Sequence, residues 1–332
     1  MTDTASRPTR NLAATHGITG AALAAKQFAP ARFLVPGYLP DGTTLLAGAP
    51  KIGKSWMALN IAEAIAAGMP VFGIFQCRAG DVLYLALEDN ERRLKGRREK
   101  MGAPPSERIT FMTHWPILDE GGLEEMEAWI RSVPDPVLIV VDVLTKVRPR
   151  TSENAQVYEG DYRALTGMHR IASDHGISIL VVTHTRKAQA DDPFDAVSGT
   201  RGLTGAADTV LVLKRDMAAG RVVLYGRGRD IAEVETVVEF APERGSWRIV
   251  GPAAELGRSD ERQAILDILA EAGRPLSARE VADMAKQSYD NVRRTLARMA
   301  LADEIGKQGR GLYCCLSCPE VPSGDVIDML DL

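Results

Sequence analysis

From about residue 32 onward, short aliphatic runs alternate with longer segments of helical periodicity. Six runs read as strands: 43–47, 81–87, 109–112, 137–142, 178–183 and 209–213. Helical spacing fills 54–67, 90–101, 122–132 and 161–175. That rhythm predicts an α/β fold with a mostly parallel sheet covered by helices. After residue 213 the style turns antiparallel, with hairpin strands expected at 221–225, 233–240 and 247–250.

The flanks read differently. Residues 1–31 mix Thr, Ala and Arg without a clean period and are expected to form a flexible leader ahead of a core over 32–250. Residues 251–259 carry Gly, Pro and Arg and read as a linker. Three helices follow at 261–271, 275–284 and 288–300, then a short pair of strands within 306–316. In the second helix Ser277 stands three residues before Glu280, the spacing of a capping box. Three helices and a β-wing predict a winged-helix domain over 260–318, followed by an acidic tail at 319–332.

Composition narrows the class without changing this picture. The 332 residues are 45% apolar and 25% charged, ordinary for a globular chain large enough to bury a core unaided. Aromatics at 5% make that core chiefly aliphatic. A net charge of -4 argues against a surface wrapped uniformly in nucleic acid but leaves room for a local basic groove. No stretch approaches the roughly 20 apolar residues that span a bilayer, so no membrane partner is expected. Nor do the first residues show the pattern of a secretory signal. Cys314, Cys315 and Cys318 cluster, with Cys77 far away, which suits neither a disulfide framework nor a four-ligand zinc site. A reducing, cytoplasmic compartment is the expectation.

The strongest chemistry lies at Gly48-Ala49-Pro50-Lys51-Ile52-Gly53-Lys54-Ser55, which satisfies G-x-x-x-x-G-K-[ST] in full. Its glycines let backbone N–H groups curl around phosphates, Lys54 supplies charge, and the Ser55 hydroxyl reaches Mg²⁺. A strand precedes the loop and a helix follows, so the helix dipole points at the same anion. ATP and Mg²⁺ are the implied ligands.

Two further strands end in acids. Val137-Leu138-Ile139-Val140-Val141-Asp142 has the form of a Walker B strand, with Asp142 facing the crevice at the carboxyl edge as a metal-shell carboxylate. Leu83-Tyr84-Leu85-Ala86-Leu87 leads into Glu88-Asp89; Glu88 is favoured as the base for the attacking water and Asp89 as a helix cap. The next strand ends at Thr183-His184, where His184 can hydrogen-bond a γ-phosphate.

These elements, in this order, resemble the RecA-like hexameric ATPases. Within them the chain is most similar to the RepA-like replicative helicase group of plasmids and phages, an AAA-type ATPase group. Pro36-Gly37, Leu45 through Trp56, and Ser198-Gly199-Thr200-Arg201-Gly202-Leu203-Thr204-Gly205-Ala206-Ala207-Asp208 carry the likeness, which spans about residues 32–250. The resemblance implies a RecA-like core with Lys54 and Ser55 on phosphate and Mg²⁺. It implies Glu88 as catalytic acid, Asp142 as Walker B and His184 at the sensor position. It also implies a homo-hexameric ring in which a neighbour's basic finger enters the site. Tyr225-Gly226-Arg227-Gly228-Arg229-Asp230 is similar to the family's strand-end basic motif, and the sequence leaves open which arginine acts.

Nucleic-acid candidates lie in two places. The loop 185–200 holds Arg186 and Lys187, able to meet a phosphate backbone, although Asp191, Asp192 and Asp195 oppose it. In the third helix of the C-terminal unit, Arg293, Arg294 and Arg298, with Tyr289 and Asn291 nearby, could meet duplex DNA, and Lys307 and Arg310 add charge to the wing. The expected function is an ATP-hydrolysing, helicase-like motor, with single-stranded DNA passing through the ring, serving a plasmid, phage or other mobile element. The alternative is an ATP-switched DNA-binding regulator or initiator that does not unwind.

Overall fold

The computed structural model describes residues 17–28, 30–149, 157–185, 192–197, 201–217, 219–309 and 311–316. A nine-stranded sheet organises the chain as far as Pro252. Its strands are β1 (Gly42–Gly48), β2 (Asp81–Ala86), β3 (Ile109–Met112), β4 (Pro136–Asp142), β5 (Ser178–His184), β6 (Thr209–Asp216), β7 (Arg221–Gly228), β8 (Val234–Ala241) and β9 (Ser246–Pro252). The spatial order is β9-β8-β7-β6-β1-β5-β4-β2-β3. From β3 to β6 all neighbours run parallel. From β6 to β9 they run antiparallel.

Helices α1 (Lys54–Ala67), α2 (Glu91–Met101), α3 (Leu123–Ser132) and α4 (Val157–His175) connect the parallel strands. Strand alternation sends neighbouring side chains to opposite faces. Leu46, Val82, Tyr84 and Val140 therefore join Met57 and Ile65 of α1 in one core layer. Leu45, Leu83, Ile139 and Val141 join Leu165 and Met168 of α4 in the other. Each such side chain contributes about 1.5–3 kcal/mol by leaving water, which is why these strands read as unbroken aliphatic runs.

The C-terminal elements build a third, separate cluster. Helices α5 (Ala253–Ala272), α6 (Ala278–Ala285) and α7 (Tyr289–Leu301) pack Ile265, Leu269, Val281, Val292, Leu296 and Met299 together. Strands β10 (Leu276–Ser277), β11 (Gly306–Gln308) and β12 (Leu312–Cys314) form an antiparallel sheet of order β10-β12-β11, and Tyr313 seals the cluster. The capping box at Ser277 forms: its hydroxyl accepts from the Glu280 N–H, and Glu280 accepts from the Ser277 N–H at 2.8 Å. The Ser277 N–H and hydroxyl, together with Arg274, donate to the Glu280 carboxylate and hold its pKa down at about 2.

Residues 251–259 are not a linker. Strand β9 runs to Pro252 and α5 begins at Ala253. Pro252, at φ -61°, precedes the good helix formers Ala253, Ala254, Glu255 and Leu256, which outweigh the Gly and Arg that suggested a break. An Arg221–Asp260 ion pair at 2.6 Å then fastens α5 to β7. In the expected leader, Gly20–Ala25 forms a short exposed helix capped by Thr19. The expected tail, Arg310 and Cys318 lie outside the described residues. Among those residues no helix is long and apolar enough to cross a membrane.

Candidate nucleotide site

Strand β1 delivers the loop to the carboxyl edge of the parallel strands, where open α/β sheets bind ligands. Gly48 passes so close to β6 that a Cβ would stand 2.7 Å from the Leu213 carbonyl oxygen. The chain turns through Lys51 (φ 64°) and Gly53 (φ 107°), left-handed conformations that favour glycine. Helix α1 starts at once with Lys54, so its unpaired N–H groups open onto the loop.

Lys54 is 5% exposed, and its ammonium donates to the carbonyls of Gly48 (2.8 Å) and Ala49 (3.0 Å) and to Nδ1 of His184 (3.2 Å). Burial lowers its pKa to about 8, against the pull of Asp142 and Glu88. Because an ammonium only donates, Nδ1 of His184 accepts and the proton sits on Nε2, where it is free to donate to an anion. Burial, then the Lys54 charge, lowers the His184 pKa and keeps the ring neutral.

Across the cleft, Asp142 is 4% exposed and both its oxygens are held. The Ser55 hydroxyl donates to Oδ1 at 3.1 Å and the Tyr84 hydroxyl to Oδ2 at 3.0 Å. Burial raises the Asp142 pKa, and those two bonds oppose the rise. Tyr84 lies wholly within the core, and its own pKa is raised by burial and by the facing carboxylate. Sequence inspection gave Tyr84 no role. The signal was one hydroxyl within the aliphatic run 82–87, two residues out of register with Asp142 on the neighbouring strand.

Glu88, exposed just beyond β2, lines the same cleft as Lys54, Ser55, Trp56, Asp142 and His184. Asp89 does not cap the following helix. Asn90 does, accepting from the Arg93 N–H at 2.9 Å, while Asp89 pairs with Arg93 (2.7 Å) and Arg97 (2.5 Å). Asn90 wins because it occupies the extended position immediately before the first turn. Arg97, also unassigned by sequence inspection, lines the cleft with its guanidinium 5.2 Å from the Trp56 ring centre. Ala49, Pro50, Lys51 and Ile52 border an adjoining hollow with Thr185 and Leu213.

The remaining candidates lie elsewhere. Gly228 pairs with Thr209, so Arg227 and Arg229 sit at the end of β6 opposite the loop, whereas Gly48 pairs with Leu213. Arg227 pairs with Glu233 and with Asp192 (3.2 Å) and stacks 4.3 Å from the Phe194 ring centre. Arg229 is 64% exposed and meets Asp208 at 3.3 Å; Asp208 also binds His169 and the Thr43 N–H. Asp192 thus has a basic partner within its own chain. Arg186 and Lys187 lie outside the described residues. Arg293, Arg294 and Arg298 share the exposed side of α7, opposite Val292, Leu296 and Met299. Asn291 instead donates to Glu261 at 3.2 Å.

Ser55 and Asp142 offer a hydroxyl and a carboxylate, hard oxygen donors of the kind Mg²⁺ takes. A nearly buried carboxylate whose burial disfavours its charge gains most from such a cation beside it. The residues fit the ion.

A family profile described as an AAA domain matches residues 9–190, more than half of the chain. The chain belongs to the AAA domain family. It is 25% identical over 279 residues to a DNA repair protein RadA of Synechocystis sp., covering 80% of this chain and 52% of that protein. It is 28% identical over 181 residues to the DNA repair protein RadA of Halalkalibacterium halodurans, covering 54% and 34%. The chain therefore spans about half or less of these relatives. Among solved structures, a DnaB-like replicative helicase studied with primase superposes with TM-score 0.53 at 14% identity, covering 66% of this chain and 62% of that one. The ATPase domain of G40P gives 0.50 at 15% identity, covering 63% and 84%. The AAA domain here thus has the α/β, RecA-like fold of a P-loop ATPase.

Proposed function

We propose that this chain hydrolyses ATP at the Lys54–Asp142 cleft and uses the turnover to move along DNA as a replicative helicase-like motor. We assign it to the RepA-like group serving a plasmid, phage or other mobile element. The observation that carries the reading is the convergence of Lys54, Ser55, Glu88, Asp142 and His184 on one cleft. Lys54 meets the transferring phosphate, Glu88 takes a proton from the attacking water, and His184 donates from Nε2 to the γ-phosphate. Mg²⁺ held by Ser55 and Asp142 would neutralise charge developing on the phosphate oxygens. Arg227 and Arg229, at the opposite end of β6, complete the site of a neighbouring copy, which requires a ring, with six members as the assembly proposed. DNA binding is supported by the likeness to the DNA repair protein RadA and to a DnaB-like replicative helicase.

One observation favours a second reading. The exposed Arg293, Arg294 and Arg298 share one side of α7, beside a small three-stranded antiparallel sheet, a basic face suited to duplex DNA. A protein that switches DNA binding with ATP would use that face without unwinding. ATP hydrolysis with and without single-stranded DNA separates the two, with Lys54→Ala as control. Strong stimulation that vanishes in the variant supports the motor. Lys54-dependent turnover indifferent to single-stranded DNA sinks it and leaves the switch.

A further inference from the structure

The phosphate loop is held from behind by a residue 194 positions away. The indole Nε1–H of Trp247 donates to the Gly53 carbonyl at 3.1 Å. The same carbonyl accepts from the Met57 N–H at 3.0 Å, the first bond of α1. Gly53 and Trp247 are in such close contact that a Cβ on Gly53 would stand 2.6 Å from the ring.

The indole is itself locked. Trp247 is 3% exposed, and its main-chain N–H donates to Asn60 Oδ1 of α1 at 2.8 Å. Asn60 Nδ2 donates to the Gly245 carbonyl at 3.0 Å. Phe240 packs on the Trp247 ring with centres 5.2 Å apart, and Trp56 fills the space a Cβ on Gly245 would need. The turn between β8 and β9 is thereby clasped to α1 on both of its sides.

The consequence follows from peptide geometry. In a planar trans peptide the carbonyl and the next N–H point in opposite directions. Tying the Gly53 carbonyl back toward Trp247 turns the Lys54 N–H forward, to the concave side of the loop. We propose that Trp247 is a positioning residue for nucleotide binding, fixing the Gly53–Lys54 peptide so that its N–H faces the phosphates. It touches no reacting atom, and it acts on affinity. This rests on the reading of the cleft as an ATP site.

The test is Trp247→Phe, which keeps an aromatic ring and removes the N–H donor. Mg-ADP affinity is measured at a temperature where both proteins are folded, alongside Lys54→Ala. Losing one well-formed hydrogen bond weakens affinity about fivefold to tenfold. The expected result is a KM for ATP raised by that factor with kcat within about twofold of the parent. A Trp247→Phe protein that binds and turns over nucleotide like the parent overturns the proposal, as does a loss confined to thermal stability. Undiminished turnover in Lys54→Ala would instead remove the ATP-site reading itself. Should Trp247→Phe fail to fold, the parent protein is labelled with ¹⁵N, and its indole signals are assigned through Trp56→Phe, Trp115→Phe and Trp129→Phe. A shift of the Trp247 signal on adding Mg-ADP supports the role, and an unmoved signal refutes it.

Discussion

The ammonium of Lys54, in the first turn of α1, lies 3.2 Å from Nδ1 of His184 at the end of β5, so the two bases share one proton-donating contact. Two positive charges at that distance repel, and burial penalises both. The pair therefore carries a single charge, on lysine.

That arrangement has an acid limb. The His184 pKa in the folded chain lies below its ordinary 6.5, so its contribution to stability is full above 6.5 and is lost as pH falls through the folded value. His184→Gln removes the titration. Thermal unfolding followed from about pH 7 down to about pH 5 is expected to show a shallower decline in the variant; parallel curves would contradict the assignment.

An alkaline limb follows from Lys54. Its pKa of about 8 lies below the usual 10.5, so the ammonium is carried below 8 and discharged as pH rises through it. An anionic phosphate favours the charged form. Mg-ADP affinity is expected to hold near neutrality and then fall by about tenfold per pH unit above 8. A fluorescent-nucleotide titration up to about pH 9.5 checks this, and a flat profile contradicts it.

Tyr84→Phe strips Asp142 Oδ2 of its hydroxyl donor while keeping the ring. The Asp142 pKa then rises further, because one of the two bonds opposing burial is gone. The unsatisfied buried oxygen costs about 1–3 kcal/mol of stability. We expect the Mg²⁺ concentration for half-maximal turnover to rise about threefold to tenfold. Unchanged Mg²⁺ dependence would show that Tyr84 serves packing alone.

Glu88→Gln keeps shape and removes the base. Turnover is expected to drop by about a hundredfold to ten-thousandfold while nucleotide affinity stays within about threefold. Equilibrium binding and single-turnover hydrolysis, measured side by side, distinguish this from a loss of binding.

Arg227 and Arg229 sit at the end of β6 opposite the loop of their own chain. Arg229→Ala and Lys54→Ala are each expected to be inactive alone and to regain part of the activity when mixed. In a mixed ring, an intact Lys54 meets an intact Arg229 from its neighbour. Mixtures as inactive as their components would place the arginine's role within one chain.

Much of this was legible without coordinates, for identifiable reasons. The run 109–112 forms Ile109–Met112, and 54–67 forms Lys54–Ala67. Both are set by neighbours a few residues apart. The order of phosphate loop, Glu88, Asp142 and His184 was readable because each closes a strand whose aliphatic run announces it. The Asp89 assignment failed on a contest between adjacent residues, Asp89 and Asn90, which only backbone conformation resolves. The linker failed because Gly and Pro signal breaks on average, and here a strand passes through Pro252 directly into a helix.

By itself the sequence determined most of the core strands and helices, and where the phosphate loop lies. Those follow from local periodicity and from a motif whose parts are contiguous. Only the tertiary structure decided that Tyr84 holds Asp142, 58 positions away, and that Trp247 anchors Gly53. It alone put Arg227 and Arg229 at the far end of β6 from the loop. Such pairings depend on strand order across the sheet, which places distant residues side by side and leaves no trace in local spacing.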